Sequence, residues 1–174
     1  MDHIDLPKEN NSLAFRRACG LFPTGVAIAT RIIADSSMGI TVNSFSSVSW
    51  DPPSVLICVH RLSRFLRGFE PGEGFAVNIL SAAQQDLSAR FASRSADRST
   101  FGPDWDVGVL GVPVHRYAAA AFECELQQAV ESGDHSILIG SVLGMHQREH
   151  SDVLVFHRGH YSRLESERGV AAGV

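Results

Sequence analysis

Met38-Gly39-Ile40-Thr41-Val42-Asn43-Ser44-Phe45-Ser46-Ser47-Val48-Ser49, with Asp51-Pro52-Pro53 one residue later, is the stretch on which the fold turns. Thr41, Asn43, Ser44, Ser46, Ser47 and Ser49 set many short polar groups among aliphatic neighbours, which reads as one strand with a wet face. Proline cannot donate to a ladder, so Asp51-Pro52-Pro53 ends it. Upstream, Val26 to Ile33 is rich in β-branched residues, and Asp35-Ser36-Ser37 reads as a hairpin turn between the two strands. Downstream, Val55 to His60 is apolar enough for a central strand. The polar strand then has two readings: an edge strand turned to water, or a wall of donors and acceptors for a planar polar ring.

The flanking segments continue the pattern. Ser12 is placed to cap a helix over Leu13 to Cys19, ended by Gly20, and Phe22-Pro23-Thr24-Gly25 reads as a turn. Ser63 starts a short helix, Arg64 to Phe69. Pro71-Gly72-Glu73-Gly74 turns into a strand from Phe75 to Leu80. Ser81 and Gln84 have capping-box spacing, and Ala83, Leu87 and Phe91 follow at i, i+4, i+8, so a helix is expected there. Residues 93–117 read as irregular, anchored by Phe101 and Trp105. Phe122, Cys124 and Leu126 alternate with Glu123, Glu125 and Gln127, the period of a half-buried strand. Gly133-Asp134 turns into His135 to Met145, and His150-Ser151-Asp152 into Val153 to Phe156. About seven strands, mostly hairpin-connected, with two or three short helices predict a mainly β protein. A closed antiparallel barrel fits this better than a βαβ fold.

The chain has 174 residues, enough for one domain and a real core. We read residues 1–11 as a loose arm, 12–165 as the domain and 166–174 as a loose tail. The formal charge of −4 argues against a nucleic-acid footprint. Fourteen of the fifteen basic residues are arginine, the fork-shaped cation suited to phosphate and carboxylate. No apolar run is long enough to span a membrane, and the N-terminal residues lack a signal-peptide pattern. Cys19, Cys58 and Cys124 are widely spaced without a CxxC, which predicts reduced thiols and a cytoplasmic protein.

Several chemical motifs fail on context. Gly72-Glu73-Gly74 precedes a strand, whereas a dinucleotide fingerprint must follow one and open a helix. There is no Walker loop and no Gly-x-Ser-x-Gly elbow. His146-Gln147-Arg148-Glu149-His150 matches a zinc pattern that requires a helix, but it sits between β-branched runs, so no metal is expected. Arg61, Ser63, Arg64 and Arg67 gather at a helix start, where free amides favour an anion. Arg90, Arg94 and Arg98 recur at i, i+4, i+8. From the residues alone, the reading is a barrel that binds a small ligand or phosphate.

Taken together, these stretches resemble the flavin reductase family with the FMN-binding split-barrel fold, the reductase components of two-component monooxygenases. The resemblance runs from about Phe15 to Leu164. It rests on Phe22-Pro23-Thr24-Gly25-Val26, on Gly39 to Ser49 with Asp51-Pro52-Pro53, and on Phe75 to Leu80. Phe122-Glu123-Cys124, Gly133-Asp134-His135 and Arg158-Gly159-His160-Tyr161 complete it. The resemblance implies a split β-barrel of Greek-key type and a homodimer with flavin in a groove near the subunit interface. It further implies that Pro23, Thr24 and Gly25 and the strand Thr41, Val42, Asn43, Ser44, Phe45, Ser46 and Ser47 line the isoalloxazine ring. Ser63 and Arg64 would hold the phosphate, with Arg90 and Arg98 as second contacts. Leu62 stands where the family often has a small hydroxyl residue. His135 is placed against the nicotinamide, with Arg158, His160 and Tyr161 near the same mouth, and His160 stands where the family commonly has arginine. The implied reaction is hydride transfer from NADH or NADPH to FMN or FAD, with reduced flavin released to a partner monooxygenase. A non-catalytic flavin carrier or sensor, or an oxidase or haem-binding relative on the same barrel, are the alternatives.

Overall fold

β-Branched and aromatic side chains at period two organise most of the chain into antiparallel pairs. The computed structural model describes residues 12–93, 95–149 and 151–164. Helix α1 (Ser12–Cys19) ends where Gly20 N donates to Arg16 O at 2.9 Å. The strands are β1 (Thr24–Gly25), β2 (Ala27–Ile33), β3 (Ser36–Val42), β4 (Ser46–Trp50), β5 (Pro53–His60) and β6 (Gly74–Ile79). Helix α2 (Gln85–Ala92) follows, then β7 (Trp105–Val107), β8 (Pro113–His115), β9 (Ala120–Ser132), β10 (His135–Gln147), β11 (Leu154–His157) and β12 (His160–Arg163). The main sheet has seven strands in the order β3-β2-β6-β9-β10-β5-β4, with every neighbouring pair antiparallel. A small sheet, β1-β11-β12, and the hairpin β7-β8 flank it.

One core serves most of this sheet. Ala29 of β2, Ile40 of β3, Ile57 of β5, Val77 of β6, Leu126 of β9 and Leu138 of β10 all bury into a single cluster with Phe65, Phe69 and Phe75. β3 and β5 are far apart in the strand order, yet Ser44 Oγ accepts from Cys58 N at 2.8 Å and donates to Cys58 O at 3.1 Å. The sheet therefore curls until the end of β3 meets β5. A second cluster under α2 gathers Val26, Ile28, Leu80, Phe91 and Leu154, with Phe101 and Trp105 against it. The two expected aromatic anchors thus pack on Phe91, at ring-centroid distances of 5.4 and 5.7 Å.

Five expectations are corrected. The single polar strand over Met38 to Ser49 is two strands, because the chain leaves β2 at Asn43–Phe45 and crosses to pair with β5. The turn before it falls on Ala34 and Asp35, whose positive φ angles of 46° and 64° suit a two-residue hairpin. The helix expected over Arg64 to Phe69 is one 3-10 turn, Arg64–Leu66, whose N-cap Ser63 accepts from Phe65 N at 3.3 Å. Glu123, expected on the wet face of its strand, is fully buried; it takes Leu110 N–H at 3.2 Å and faces His146 Nε2 at 3.3 Å. Residues 93–117, expected to be irregular, include the β7-β8 hairpin. The capping box at Ser81 and Gln84 forms as read.

Candidate functional site

The crossing from β3 to β4, the end of β5 and the last turn of α2 surround a groove of about 620 Å³. Thr41, Val42, Asn43 and Ser44 form one wall, Cys58 to His60 the second, and Phe91 and Ala92 the third. Leu62, Ser63, Arg64 and Arg98 close one end, and His135 enters from β10. Sequence reasoning named Thr41, Val42, Asn43, Ser44, Ser63, Arg64, Arg98 and His135, and the fold brings these eight together.

The hydroxyls of the polar strand brace the wall. Thr41 Oγ1 donates to Ser88 O of α2 at 2.7 Å, and Ser44 is spent on Cys58. Asn43 is exposed to the groove. Arg64 and Arg98 face the cavity together. Burial pushes the Arg98 guanidinium below its ordinary value, and the neighbouring Arg64 charge adds to that. Arg98 Nε is buried without a partner. Two cations brought this close are a pair that an anion would relieve.

Arg98 owes its place to its loop. Its carbonyl accepts from Gly39 N at 3.0 Å, and Asp97 takes bonds from Ser99 and Thr100. Arg90 donates to the carbonyls of Asp97 and Thr100 and lies over the Phe91 ring. Arg90 therefore braces the loop and does not line the groove. Behind Arg64, buried Arg31 donates to Phe65 O at 2.9 Å and pairs with Glu73 at 3.2 Å, which pins the 64–67 turn onto β2.

At the other side His135 Nδ1 lies 2.7 Å from Asp134 Oδ1. The His135 imidazole, with a smaller pull from His60, holds the Asp134 carboxyl below its ordinary value. With Nδ1 donating to the carboxylate, a neutral His135 keeps its lone pair on Nε2. His60, missed from the sequence, stands across the ladder from His135, with ring centroids 5.3 Å apart. Its place opposite His135 comes from the long-range β5–β10 ladder, which no local pattern in the sequence encodes.

The remaining candidates lie elsewhere in the chain. Thr24 and Gly25 pair with Phe156 and Val155, and Pro23 precedes them on the surface. Phe45 stacks on Phe122 with centroids 5.4 Å apart. Ser46 and Ser47 sit on edge strand β4. Arg158 occupies the β11–β12 turn at φ 51°, and His160 is exposed beside it. Tyr161 Oη lies 2.8 Å from Ser88 Oγ, under α2. None of these lines the groove. Among the described residues no group of three or more His, Cys, Asp and Glu is placed to hold a metal, and no helix is long and apolar enough to cross a membrane. Arg94 and His150 lie outside the described residues, as do the arm 1–11 and the tail 166–174.

The profile of the flavin reductase-like domain matches residues 19–165, and the chain belongs to that family. It is 39% identical over 166 residues to the NADH-dependent FMN reductase SmoA of Agrobacterium fabrum, covering 95% of this chain and 94% of the relative. Against two longer relatives of Rhizobium meliloti the chain spans 52% and 56% of their length. Among solved structures it resembles the NADH:FAD oxidoreductase SgcE6 of Streptomyces globisporus, solved with NAD and FAD fragments. That match has TM-score 0.86 at 33% identity, over 95% of this chain and all of the other. BorF, the flavin reductase component of a bacterial two-component tryptophan halogenase, matches with TM-score 0.84 at 35% identity, over 90% of this chain and all of the other.

Proposed function

We propose that this chain is an NAD(P)H-dependent flavin reductase that transfers hydride from nicotinamide to FMN or FAD and releases the reduced flavin to a partner monooxygenase. The observation that carries the reading is the groove itself. Its lining holds two arginines, one of them Arg98 with a buried, unpartnered Nε, and a histidine fixed by an aspartate. A phosphate-bearing ring system fits such a site, and membership of the flavin reductase-like family names it.

When bound, the flavin supplies the redox chemistry by accepting hydride; the chain supplies position and charge. Arg64 and Arg98 would hold the phosphate. Ser63 keeps its oxygen on the Phe65 amide and contributes by fixing the turn. Asn43 and strand amides would donate to the pyrimidine edge, where negative charge develops. Thr41 and Ser44 keep those donors in place through their own bonds. His135 would take the nicotinamide carboxamide on Nε2, with no acid–base step assigned to it.

The contact between β3 and β5 supports closure of the curled sheet into a split barrel. Exposed Leu143 and Met145 on β10, with exposed Val107 and with Val109, whose side chain lies beside Gly144, support burial against a second copy as a homodimer. In that assembly Pro23, Thr24, Gly25, Arg158 and His160 would reach a groove only as residues of the second copy. The three free cysteines fit the reducing cytoplasm.

The test is to mix the protein with FMN or FAD and follow NADH or NADPH oxidation. Flavin-dependent turnover is expected, most readily with NADH. Tight flavin binding without turnover would make the chain a carrier and overturn the reading.

A further inference from the structure

His60 has no part in the chemistry above, yet it contacts two segments that line the groove. It is the last residue of β5 and pairs directly with His135 in the ladder. Its Nδ1 accepts the Leu62 backbone N–H at 3.2 Å, at the start of the loop that carries Ser63 and Arg64. An imidazole that accepts on Nδ1 carries its proton on Nε2 when neutral. That Nε2 lies 3.9 Å from Asp134 Oδ2, while the other carboxylate oxygen takes His135. One carboxylate thus stands between two imidazoles, and one imidazole stands between the carboxylate and the phosphate-end loop.

We propose that His60 is a positioning residue that ties the Ser63–Arg64 loop to the Asp134–His135 pair, and that it does so only while neutral. The proposal rests on the reading of the groove as a flavin site. Protonating His60 turns Nδ1 from acceptor to donor, facing an N–H that also donates, so the loop loses its side-chain tether and keeps the backbone bonds from Arg61 N to Asp134 O at 2.9 Å and from Ser63 N to His60 O at 2.8 Å. The same proton strengthens the pull on Asp134, in competition with His135.

The charged groups around His60 do not replace this link. Asp134 and His135 face it from the β9–β10 turn. Arg61, next in the chain, is engaged with Gly133 O and Glu131. Arg64 and Arg98 stand at the phosphate end, and the Cys58 thiol lies on the same wall. Protonation of the His60 ring is therefore the event that releases the side-chain tether.

The experiment measures FMN and riboflavin dissociation constants of the full chain between about pH 5.5 and pH 8. It compares wild type, His60→Asn and His60→Ala. An asparagine oxygen can accept the Leu62 N–H and does not titrate. His60→Ala should weaken FMN about tenfold at neutral pH, the worth of one such bond, and His60→Asn should recover most of that loss. Wild type should weaken toward acid more steeply than His60→Asn, and riboflavin should follow neither change. Comparing the two proteins at each pH removes the ionisation of the FMN phosphate, whose second pKa is near ~6. Identical pH dependence in wild type and His60→Asn, or full FMN affinity in His60→Ala, overturns the proposal. If wild type binds no flavin at any pH, the flavin reading falls instead. The tether is then judged on the free protein by NMR: the Leu62 amide resonance must move with the His60 titration, and an amide that stays fixed overturns it.

Discussion

The Thr41 hydroxyl donates to the Ser88 carbonyl across 2.7 Å, which ties the strand of one groove wall to the helix of another. Ser88 is fully buried, and its own hydroxyl meets Tyr161 Oη at 2.8 Å. Three segments far apart in sequence, β3, α2 and β12, are therefore fixed to one another through a single serine. The wall that presents Asn43 inherits its rigidity from this link.

Tyr161→Phe isolates the outer half of that link. It leaves the buried Ser88 hydroxyl without its partner, so stability should fall by about 1–2 kcal/mol, read as a lower urea midpoint at unchanged m-value. The KM for NADH should change by less than about twofold. A large rise in that KM with an unaltered midpoint would instead put Tyr161 on the nicotinamide.

The paired arginines make a prediction about ligand class. Arg64→Ala and Arg98→Ala should each raise the KM for FMN by about 10- to 100-fold, the worth of a charged hydrogen bond, and leave riboflavin nearly unaffected. Arg90→Ala should act through the loop that carries Arg98. Its effect on FMN should be smaller, and the double variant with Arg98→Ala should fall short of the sum. Steady-state kinetics on both flavins decides the matter; equal losses for riboflavin would remove phosphate from the account.

These residues also mark what could be read from the sequence. The strand periods, the capping box at Ser81 and the polar stretch Thr41 to Ser44 are local signals, and each was legible in the chain alone. Arg64 and Arg98 were legible as candidates through the resemblance. What no local pattern encodes is the use of a side chain across the fold. Arg90 has the same helical spacing from Arg98 as any solvated pair, yet it is committed to the carbonyls of Asp97 and Thr100. Glu123 alternates like a solvent-facing residue but is covered by the 108–110 loop, whose Leu110 N–H it accepts. The break at Asn43–Phe45 is equally non-local, because the chain changes strand partners there and its polarity does not change.

Gly39 couples packing to the site. A Cβ there would lie 2.6 Å from Phe91 Cδ1 and 3.3 Å from Phe101 Cζ, and Phe91 lines the groove. Gly39→Ala must push that ring, and overpacking of this kind costs about 1–3 kcal/mol. The variant should show a lower thermal midpoint together with a raised flavin KM. Gly140→Ala also clashes with a buried ring, that of Phe75, at 2.6 Å, but away from the groove, so it should lower stability and spare the KM. Equal kinetic effects in the two variants would contradict the placement of Phe91.

His115 gives the fold a pH dependence of its own. Its ring is buried edge-on to Trp105, with centroids 4.7 Å apart, and its Nδ1 faces Gln84 Nε2 at 3.0 Å and Tyr117 N at 3.1 Å. Both neighbours donate, so the folded state favours the neutral ring with its proton on Nε2. Burial holds the His115 pKa below its ordinary value of 6.5, and Asp104 offsets this only in part. The unfolded chain therefore binds more protons between the folded pKa and 6.5, and stability rises with pH across that window. The contribution is complete above 6.5 and is lost as pH falls from there through the folded value. His115→Gln keeps an acceptor oxygen and removes the titration. The urea midpoint of wild type should drop on going from about pH 7 to pH 5.5 by more than that of the variant. The difference between the two proteins removes the carboxylates common to both, and a difference that stays constant with pH would show that His115 is not protonated on unfolding.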